Sequence, residues 1–168
     1  YILMRIQNKL NDLNFNNKNN RYQVGFQKNT WGNLEYRKSI FIENEEGTFN
    51  ADPFVIEKDN KNFCFVECFN YSEKKAKINV YELSEKGYVF LGTALEESFH
   101  LSFPYIFEFN NEIYMVPESS KNRDIRLYKC QNFPLDWRLQ EVLIDNIDAA
   151  DSMIFQKDNK WWLMTNED

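Results

Sequence analysis

The sequence predicts an all-β fold, and three observations support that prediction. Aromatic residues make up 17% of the 168 residues, and aromatic side chains favour the half-buried surface of a pleated sheet. From residue 22 onward, short apolar runs alternate with Asn, Asp, Lys and Gly, and no long helical pattern occurs. The chain also repeats itself with a period of about 50 residues, which is typical of architectures built from stacked β units.

Composition narrows the classes of function. The formal charge is −6 without a basic cluster, so binding to nucleic acid or to an anionic membrane is not expected. No apolar run approaches the roughly 18 residues that a membrane span needs. The cysteines number three and form no CxxC, and the chain has a single histidine. We therefore expect no disulfide framework, no metal and no cofactor. Because no signal-peptide layout is present, we expect a cytoplasmic location.

The amino-terminal segment differs from the rest. Its apolar residues Ile2, Ile6, Leu10 and Leu13 share one helical stripe, which predicts a short helix within residues 1–13. An Asn-rich stretch follows and is predicted to be a linker. We therefore divide the chain into a helical tail with its linker, 1–20, and a β domain, 21–168. Because the chain opens at Tyr1, we interpret it as a piece of something longer.

Twelve strands are predicted in the β domain from short apolar runs bounded by turn residues. They lie near 22–28, 36–42, 52–57, 62–68, 77–83, 88–92, 103–109, 112–117, 124–130, 137–143, 152–156 and 161–165.

Three segments of this domain align with one another. They are ADPFVIEKDNKNFCFVE from Ala51, SFPYIFEFNNEIYMVPE from Ser102 and ADSMIFQKDNKWWLMTN from Ala150, with offsets of 51 and 48 residues. The first and third share six identities in seventeen positions. A repeat of about 50 residues made of four short strands predicts the blade of a β-propeller.

The number of units has a consequence for the parent protein. Propellers have about 4–8 blades, whereas about three are present here, so we expect a five-bladed parent protein with about two further blades. A β-sandwich built from the same strands is the alternative.

The acidic residues of the repeat are predicted to converge. In a hairpin, the start of the first strand and the end of the second lie at the same end. The spacing therefore predicts three neighbouring pairs, which are Asp52 with Glu67, Phe103 with Glu118, and Asp151 with Asn166. If the first strand of each blade is innermost, all six positions meet at one mouth of the channel. Acids beside Trp and Tyr at such a mouth suit a sugar ligand, and carboxylate pairs perform glycosidic chemistry.

Structural explanations remain open for these residues. Asp is a common turn former, so Asp52 and Asp151 could serve the backbone alone. The single histidine, His100, is interpreted as a structural or loop residue in preference to a channel ligand. The Lys-Asp-Asn-Lys segments at 58–61 and 157–160 are predicted to be solvated hairpin turns at the opposite end. The consecutive Trp161 and Trp162 point to opposite faces, and packing is favoured over stacking on a ligand.

The motifs ADPF, HLSFPYIFEFNNEIYMVPESS and DSMIFQKDNKWWLMTN resemble a known family from about residue 22 to the end. It is the propeller domain found at the amino terminus of plant glucosamine inositolphosphorylceramide transferases and in bacterial proteins. That domain is itself similar to five-bladed propeller glycosidases such as arabinanases, levansucrases and invertases. By this resemblance, Asp52 matches the base or nucleophile, Phe103 stands at the modulating Asp, and Asp151 stands at the acid, a Glu in those enzymes. The Phe at the second position argues against hydrolysis, although the nearby Glu118 could replace the missing acid.

The sequence thus leaves three hypotheses. The first is a carbohydrate-binding propeller module of a glycan-modifying or glycosyl-transferring protein, fused to a catalytic domain. In it, Glu67, His100, Phe103 and Asn166 would contact the ligand. The second is an active glycosidase or transglycosidase that uses Asp52 with Glu118 or Asp151. The third is a scaffold propeller whose channel mouth holds no ligand.

Overall fold

The computed structural model describes residues 2–7, 22–30, 32–33 and 35–167, with the backbone alone for residues 2–7. In these residues, four antiparallel sheets follow one another along the chain. Sheet 1 consists of β1 (Ile2–Gln7), β2 (Tyr22–Gln27) and β3 (Ile40–Phe41). Sheet 2 consists of β4 (Thr48–Lys58), β5 (Lys61–Asn70), β6 (Lys75–Ser84) and β7 (Gly87–Leu95). Sheet 3 consists of β8 (Ser102–Phe109), β9 (Glu112–Ser119), β10 (Asp124–Asn132) and β11 (Asp136–Asp145). Sheet 4 consists of β12 (Ala149–Lys157) and β13 (Lys160–Glu167).

The all-β prediction is confirmed, and sheets 2 and 3 are four-stranded meanders in chain order. The helical segments in the described part are single 3₁₀ turns at Tyr36–Lys38 and Ser120–Asn122. No helix there is long and apolar enough to cross a membrane.

Two sequence predictions for the amino-terminal region are wrong. Residues Ile2–Gln7 form a strand paired with β2, from Ile2 opposite Gln27 to Gln7 opposite Tyr22, and not the predicted helix. A helix of about 13 residues is marginal in water, so backbone pairing with a sheet outweighs the helical spacing. The strand predicted near 36–42 is reduced to Ile40–Phe41. Leu10, Leu13, the Asn-rich linker and the division between residues 20 and 21 lie outside the described residues.

Successive sheets pack face to face because their central strands are apolar on both faces. Along β5, Cys64 and Val66 pack with Val24 and Phe26 of sheet 1. The alternate residues Phe63 and Phe65 pack with Ile106, Ile113 and Met115 of sheet 3. Sheet 3 packs in turn on sheet 4, with Val116 beside Ile154 and Leu163. Side chains alternate faces with a period of two, so this pattern requires a neighbour on each side of sheets 2 and 3.

Each of the three repeats begins with a hairpin, and all three hairpins have the same type of tight turn. Their central residues are Asp59-Asn60, Asn110-Asn111 and Asp158-Asn159, and all six have positive φ between 51° and 62°. Such residues form the type I′ turn that matches the twist of a two-residue hairpin. The predicted Lys-Asp-Asn-Lys turns at 58–61 and 157–160 are therefore confirmed.

The repeat is also visible in the backbone at the other end of each hairpin. Asp52, Phe103 and Asp151 have φ values of 45°, 43° and 52°. The strand register shifts at each of these residues, which is the mark of a β-bulge. Asp tolerates the left-handed region because its short polar side chain can hydrogen-bond locally, whereas a bulky Phe is strained there. We call these three residues the bulge residues.

Equivalent positions of the repeat differ in burial, which gives a test of the packing. Phe65 is 0% exposed, whereas Met164, its counterpart two repeats later, is 55% exposed. We expect Phe65→Ala to lower the free energy of unfolding by about 3–5 kcal/mol, because it leaves a cavity between sheets 2 and 3. We expect Met164→Ala to change it by about 0.5 kcal/mol or less. Urea unfolding of the 168-residue chain measures both, and similar losses for the two variants would contradict the packing described above.

Candidate functional site

The strand register brings the predicted residues together in pairs. Ala51 lies opposite Glu67, Ser102 opposite Glu118, and Ala150 opposite Asn166. Each bulge residue directly follows the first member of a pair, so Asp52, Phe103 and Asp151 adjoin these partners as hairpin geometry predicts. The three pairs nevertheless differ in exposure. Glu67 is buried, Asp52, Phe103 and Glu118 are half-buried, and Asp151 and Asn166 are exposed.

The carboxylate of Glu118 crosses from sheet 3 to sheet 4. Its Oε2 accepts a hydrogen bond from the backbone N–H of Asp151 at 3.2 Å, and its Oε1 accepts one from the Ser120 hydroxyl at 2.9 Å. Hydrogen bonds to a charged acceptor are stronger than those between neutral groups. The carboxylate therefore ties the end of β9 to the bulge of the following sheet.

His100 lies where sheets 2 and 3 meet. Its Nδ1 accepts a hydrogen bond from the backbone N–H of Ala76 at 3.1 Å, so the proton of the neutral ring is on Nε2. That Nε2 lies 3.6 Å from Oε1 of Glu67, whose side chain is 9% exposed. The Phe69 ring also adjoins the imidazole, with centroids 5.8 Å apart. His100 is thus held by contacts with β5 and β6.

Charged side chains near the ends of neighbouring strands influence the pKa of this imidazole. Burial lowers the pKa of His100, and the neighbouring carboxylates of Glu118 and Asp52 act in the opposite direction. The ammonium of Lys121 adds to the lowering of that pKa. His100 therefore lies beside Glu67 of β5 and also interacts electrostatically with Asp52 of β4 and Glu118 of β9. We call Asp52, Glu67, His100 and Glu118 the acidic junction.

Phe103 has the same backbone conformation as Asp52 and Asp151, but its side chain makes an apolar contact. Its ring meets Phe54 of β4 edge to face, with centroids 4.9 Å apart. Aromatic pairs in this arrangement contribute about 0.5–1.5 kcal/mol beyond area burial, which helps to hold Phe103 in its strained conformation. The position at which the resemblance implies a second acid therefore carries an apolar contact between sheets 2 and 3.

The tryptophans lie on opposite faces of sheet 4, as predicted. Gln156 is opposite Trp161 and Phe155 is opposite Trp162 along the β12–β13 ladder. Trp161 packs on sheet 3, with centroids 4.9 Å from Phe109, while Trp162 is 51% exposed. Trp161, which is 44% exposed, therefore makes part of the packing favoured from the sequence, whereas the more exposed Trp162 does not.

Sequence reasoning missed several neighbours of the junction. Ser120 and Lys121 lie two and three residues after Glu118, and the polar run after Pro117 was the available signal. The Ala76 N–H that positions His100 had no signal, because it is a backbone group 24 residues away. Among the described residues, no three His, Cys, Asp or Glu side chains are grouped so that they could hold a metal ion.

The side chains of the acidic junction can form hydrogen bonds with a ligand. The carboxylates can accept hydrogen bonds from hydroxyl or ammonium groups, and the neutral imidazole can donate one from Nε2. Successive four-stranded sheets with acids at one end of their hairpins define an all-β repeat module with a polar junction between sheets.

Comparisons with known proteins place this module in a family. Residues 38–168 match the family model described as glucosamine inositolphosphorylceramide transferase 1, N-terminal, and the chain belongs to that family. It is 41% identical over 121 residues to glucosamine inositolphosphorylceramide transferase 1 of Oryza sativa, in both subspecies indica and japonica. It is 36% identical over 121 residues to the protein of that name from Arabidopsis thaliana. The matched segment covers 71% of this chain and 16% of each relative.

The single histidine permits a clean test of the junction. Because burial lowers its pKa in the folded chain, the unfolded chain takes up a proton that folded His100 resists. We therefore expect the free energy of unfolding to fall as the pH drops below about 6.5, the ordinary histidine pKa. At higher pH this contribution is constant.

The matched variant is His100→Asn, which keeps a side-chain acceptor near the Ala76 N–H but does not titrate. Chemical unfolding at several pH values should give a wild-type curve that falls away from the variant curve below about pH 6.5. Parallel curves in that range would show that folding leaves the His100 pKa unshifted.

Proposed function

We propose that this chain is a carbohydrate-binding propeller module of a glycan-modifying or glycosyl-transferring protein, and that the acidic junction contacts the sugar. The observation that carries the proposal is the convergence of Asp52, Glu67 and Glu118 on His100. Three carboxylates and a neutral imidazole offer several acceptors and one donor, which suits a ligand with many hydroxyl groups.

The propeller part of the proposal is supported by three equivalent apolar faces. Each face has four positions, two from the first strand and two from the second strand of a repeat. In sheet 2 they are Phe54, Ile56, Phe63 and Phe65; in sheet 3 they are Tyr105, Phe107, Tyr114 and Val116; in sheet 4 they are Met153, Phe155, Trp162 and Met164.

The first two faces have the same environment. The face of sheet 2 is packed against sheet 3, and that of sheet 3 against sheet 4. Strand β4 lies against β8, and β12 lies against β8 and β9. Packing of the equivalent face of each sheet on the next sheet is the arrangement of propeller blades. A further blade on the face of sheet 4 would bury Phe155, Trp162 and Met164, which are 37%, 51% and 55% exposed here.

The relatives support the link to glycan chemistry. Their name describes a transferase of glucosamine inositolphosphorylceramide, and this chain matches 16% of their length. We therefore propose that the module is fused to a catalytic domain in the whole protein and positions a sugar for it. The cytoplasmic location expected from the sequence remains a prediction.

Two conservative variants test the sugar contact. We expect Asp52→Asn and Glu118→Gln each to weaken binding by about tenfold or more, because a hydrogen bond to a charged group contributes about 1.5–3 kcal/mol. Asn tolerates the left-handed backbone at position 52, so a loss of binding there would not reflect strain. The measurement is a glycan array with the full-length protein, followed by calorimetric titration of the best-bound glycan.

The chain offers matched controls for both variants. Asp59→Asn alters an aspartate with φ of 51° at the opposite end of the same hairpin. Glu112→Gln alters an acid at the opposite end of β9, where it pairs with Lys129 at 3.2 Å. Both controls should bind as the wild type does. Failure of the full-length protein to bind any glycan would refute the proposal and favour a scaffold.

Hydrolysis is the second candidate, and the contact between Glu118 and Asp151 is the observation that favours it. A glycosidase would use Asp52 with Glu118 or Asp151 and show a bell-shaped dependence of rate on pH. Under this hypothesis, Asp52→Asn reduces turnover of an aryl glycoside by orders of magnitude. If turnover survives that change, hydrolysis does not use this site.

A further inference from the structure

A pocket of about 260 Å³ lies on the face of sheet 2 that packs against sheet 1. Its lining includes Thr48 of β4, Cys68 of β5, Asn79 of β6 and Phe90 and Thr93 of β7. Glu67 and Cys68 are consecutive residues of β5, so their side chains point to opposite faces of the sheet. The pocket and the acidic junction therefore lie on opposite faces of sheet 2, and Ala76, whose N–H donates to His100, also belongs to the pocket lining.

The next repeat shows why the pocket exists. The repeat offset of 51 residues places Phe99 at the position of Thr48. The segment INVYEL from Ile78 matches IRLYKC from Ile125 with an offset of 47 residues, which places Arg126 at the position of Asn79. There the Arg126 guanidinium lies 4.8 Å from the centre of the Phe99 ring, and its Nε donates to Asp124 at 2.6 Å. A stacked Arg and Phe fill the space between sheets 2 and 3. Thr and Asn are too small to fill it, and sheet 2 keeps a cavity at the equivalent place.

The polar side chains of the pocket are held in fixed orientations. The Asn79 Oδ1 accepts a hydrogen bond from the Thr93 hydroxyl at 3.0 Å, which sets the direction of the amide. At the rim, the ammonium of Lys75 donates to the Glu97 carbonyl at 2.8 Å and lies 3.5 Å from a Glu96 carboxylate oxygen. Groups that are held in this way need little reordering when they bind a ligand.

A buried acceptor lies behind the pocket. Asn50 is 2% exposed and is opposite Cys68 in the β4–β5 ladder. Its carbonyl oxygen has no hydrogen-bond partner among the described residues. Buried polar atoms are nearly always paired with protein, water or ligand. Asn50 does not line the pocket itself, so this acceptor adds a polar group behind the lining residue Cys68.

An aromatic wall completes the lining. Phe90 is 48% exposed, and its ring is supported by Tyr81 at a centroid distance of 5.2 Å. Burial raises the pKa of Tyr81 to about 12, so the phenol is neutral at physiological pH. An apolar ring face beside amide, hydroxyl and ammonium groups matches a molecule with an apolar ring face and hydroxyl edges.

Charge and size narrow the ligand further. The lining contains Lys75 and Lys77 but also Glu45 and Glu73, so its charges balance. Balanced charge disfavours a phosphate or another multiply charged ion. A volume of about 260 Å³ is below the roughly 300–1,000 Å³ of drug-sized sites. We propose that this pocket is a second carbohydrate site, which takes a single neutral pyranose with one face against Phe90. The proposal does not depend on the function of the acidic junction.

The most direct test is a variant that fills the pocket with the side chains found at the equivalent positions of the next repeat. Thr48→Phe combined with Asn79→Arg introduces the stacked pair found in sheet 3. The experiment titrates isotope-labelled protein with methyl β-D-glucopyranoside and follows backbone amide shifts. Wild-type protein should show saturable shifts at Asn79, Thr93 and Phe90, and the double variant should bind about tenfold or more weakly, which is about 1.4 kcal/mol.

Further variants keep the proposal testable if the double variant does not fold. Phe90→Ala should weaken binding by several fold, since it removes the ring face. The neighbouring Val89, which is 61% exposed and alternates to the other face, provides the control Val89→Ala. Its affinity should equal that of the wild type.

Two outcomes overturn the proposal. One is the absence of saturable shifts at the pocket amides up to the solubility limit of the glycoside. The other is saturation by inorganic phosphate in place of the glycoside, which would make the pocket an anion site. Asp52→Asn separates the two sites, because the pocket shifts should persist in that variant whether or not the acidic junction binds sugar.

Discussion

The architecture depends on central strands that are apolar on both faces. Phe63 and Phe65 of β5 point towards sheet 3, and Cys64 and Val66 point towards sheet 1. Such a strand cannot leave either face in water, so each sheet needs a neighbour on both sides. A slip of one residue would exchange the two sets of side chains. The requirement therefore fixes the register of the hairpins as well as the order of the sheets.

The β-bulge converts this regular packing into a polar junction. An extra residue in β4, β8 and β12 re-aims the side chains at one end of each hairpin. At two of the three positions the left-handed residue is Asp. At the third, Phe103 occupies the same conformation and packs on Phe54. The same β-bulge thus carries an acid in two repeats, of which Asp52 belongs to the acidic junction, and an apolar contact in the third.

The two faces of sheet 2 carry different polar features, which are the acidic junction on one face and the pocket on the other. Glu67 faces sheet 3 and lies beside His100, whereas the next residue, Cys68, faces the pocket. Sheet 3 closes the equivalent space with Phe99 and Arg126. The repeat keeps its backbone, and the volume of two side chains decides whether the space between sheets is filled or open.

The sequence alone determined the features that depend on local chemistry. Asp-Asn and Asn-Asn pairs specified the hairpin turns, and apolar residues on both faces specified the central strands. Together with the repeat, they placed Glu118 beside Phe103 at one end of its own hairpin. Only the tertiary structure decided that Ile2–Gln7 is a strand, that His100 is held by the Ala76 N–H, and that a pocket lies beside Asn79. These features depend on hydrogen bonds and packing between distant segments, which local patterns do not encode.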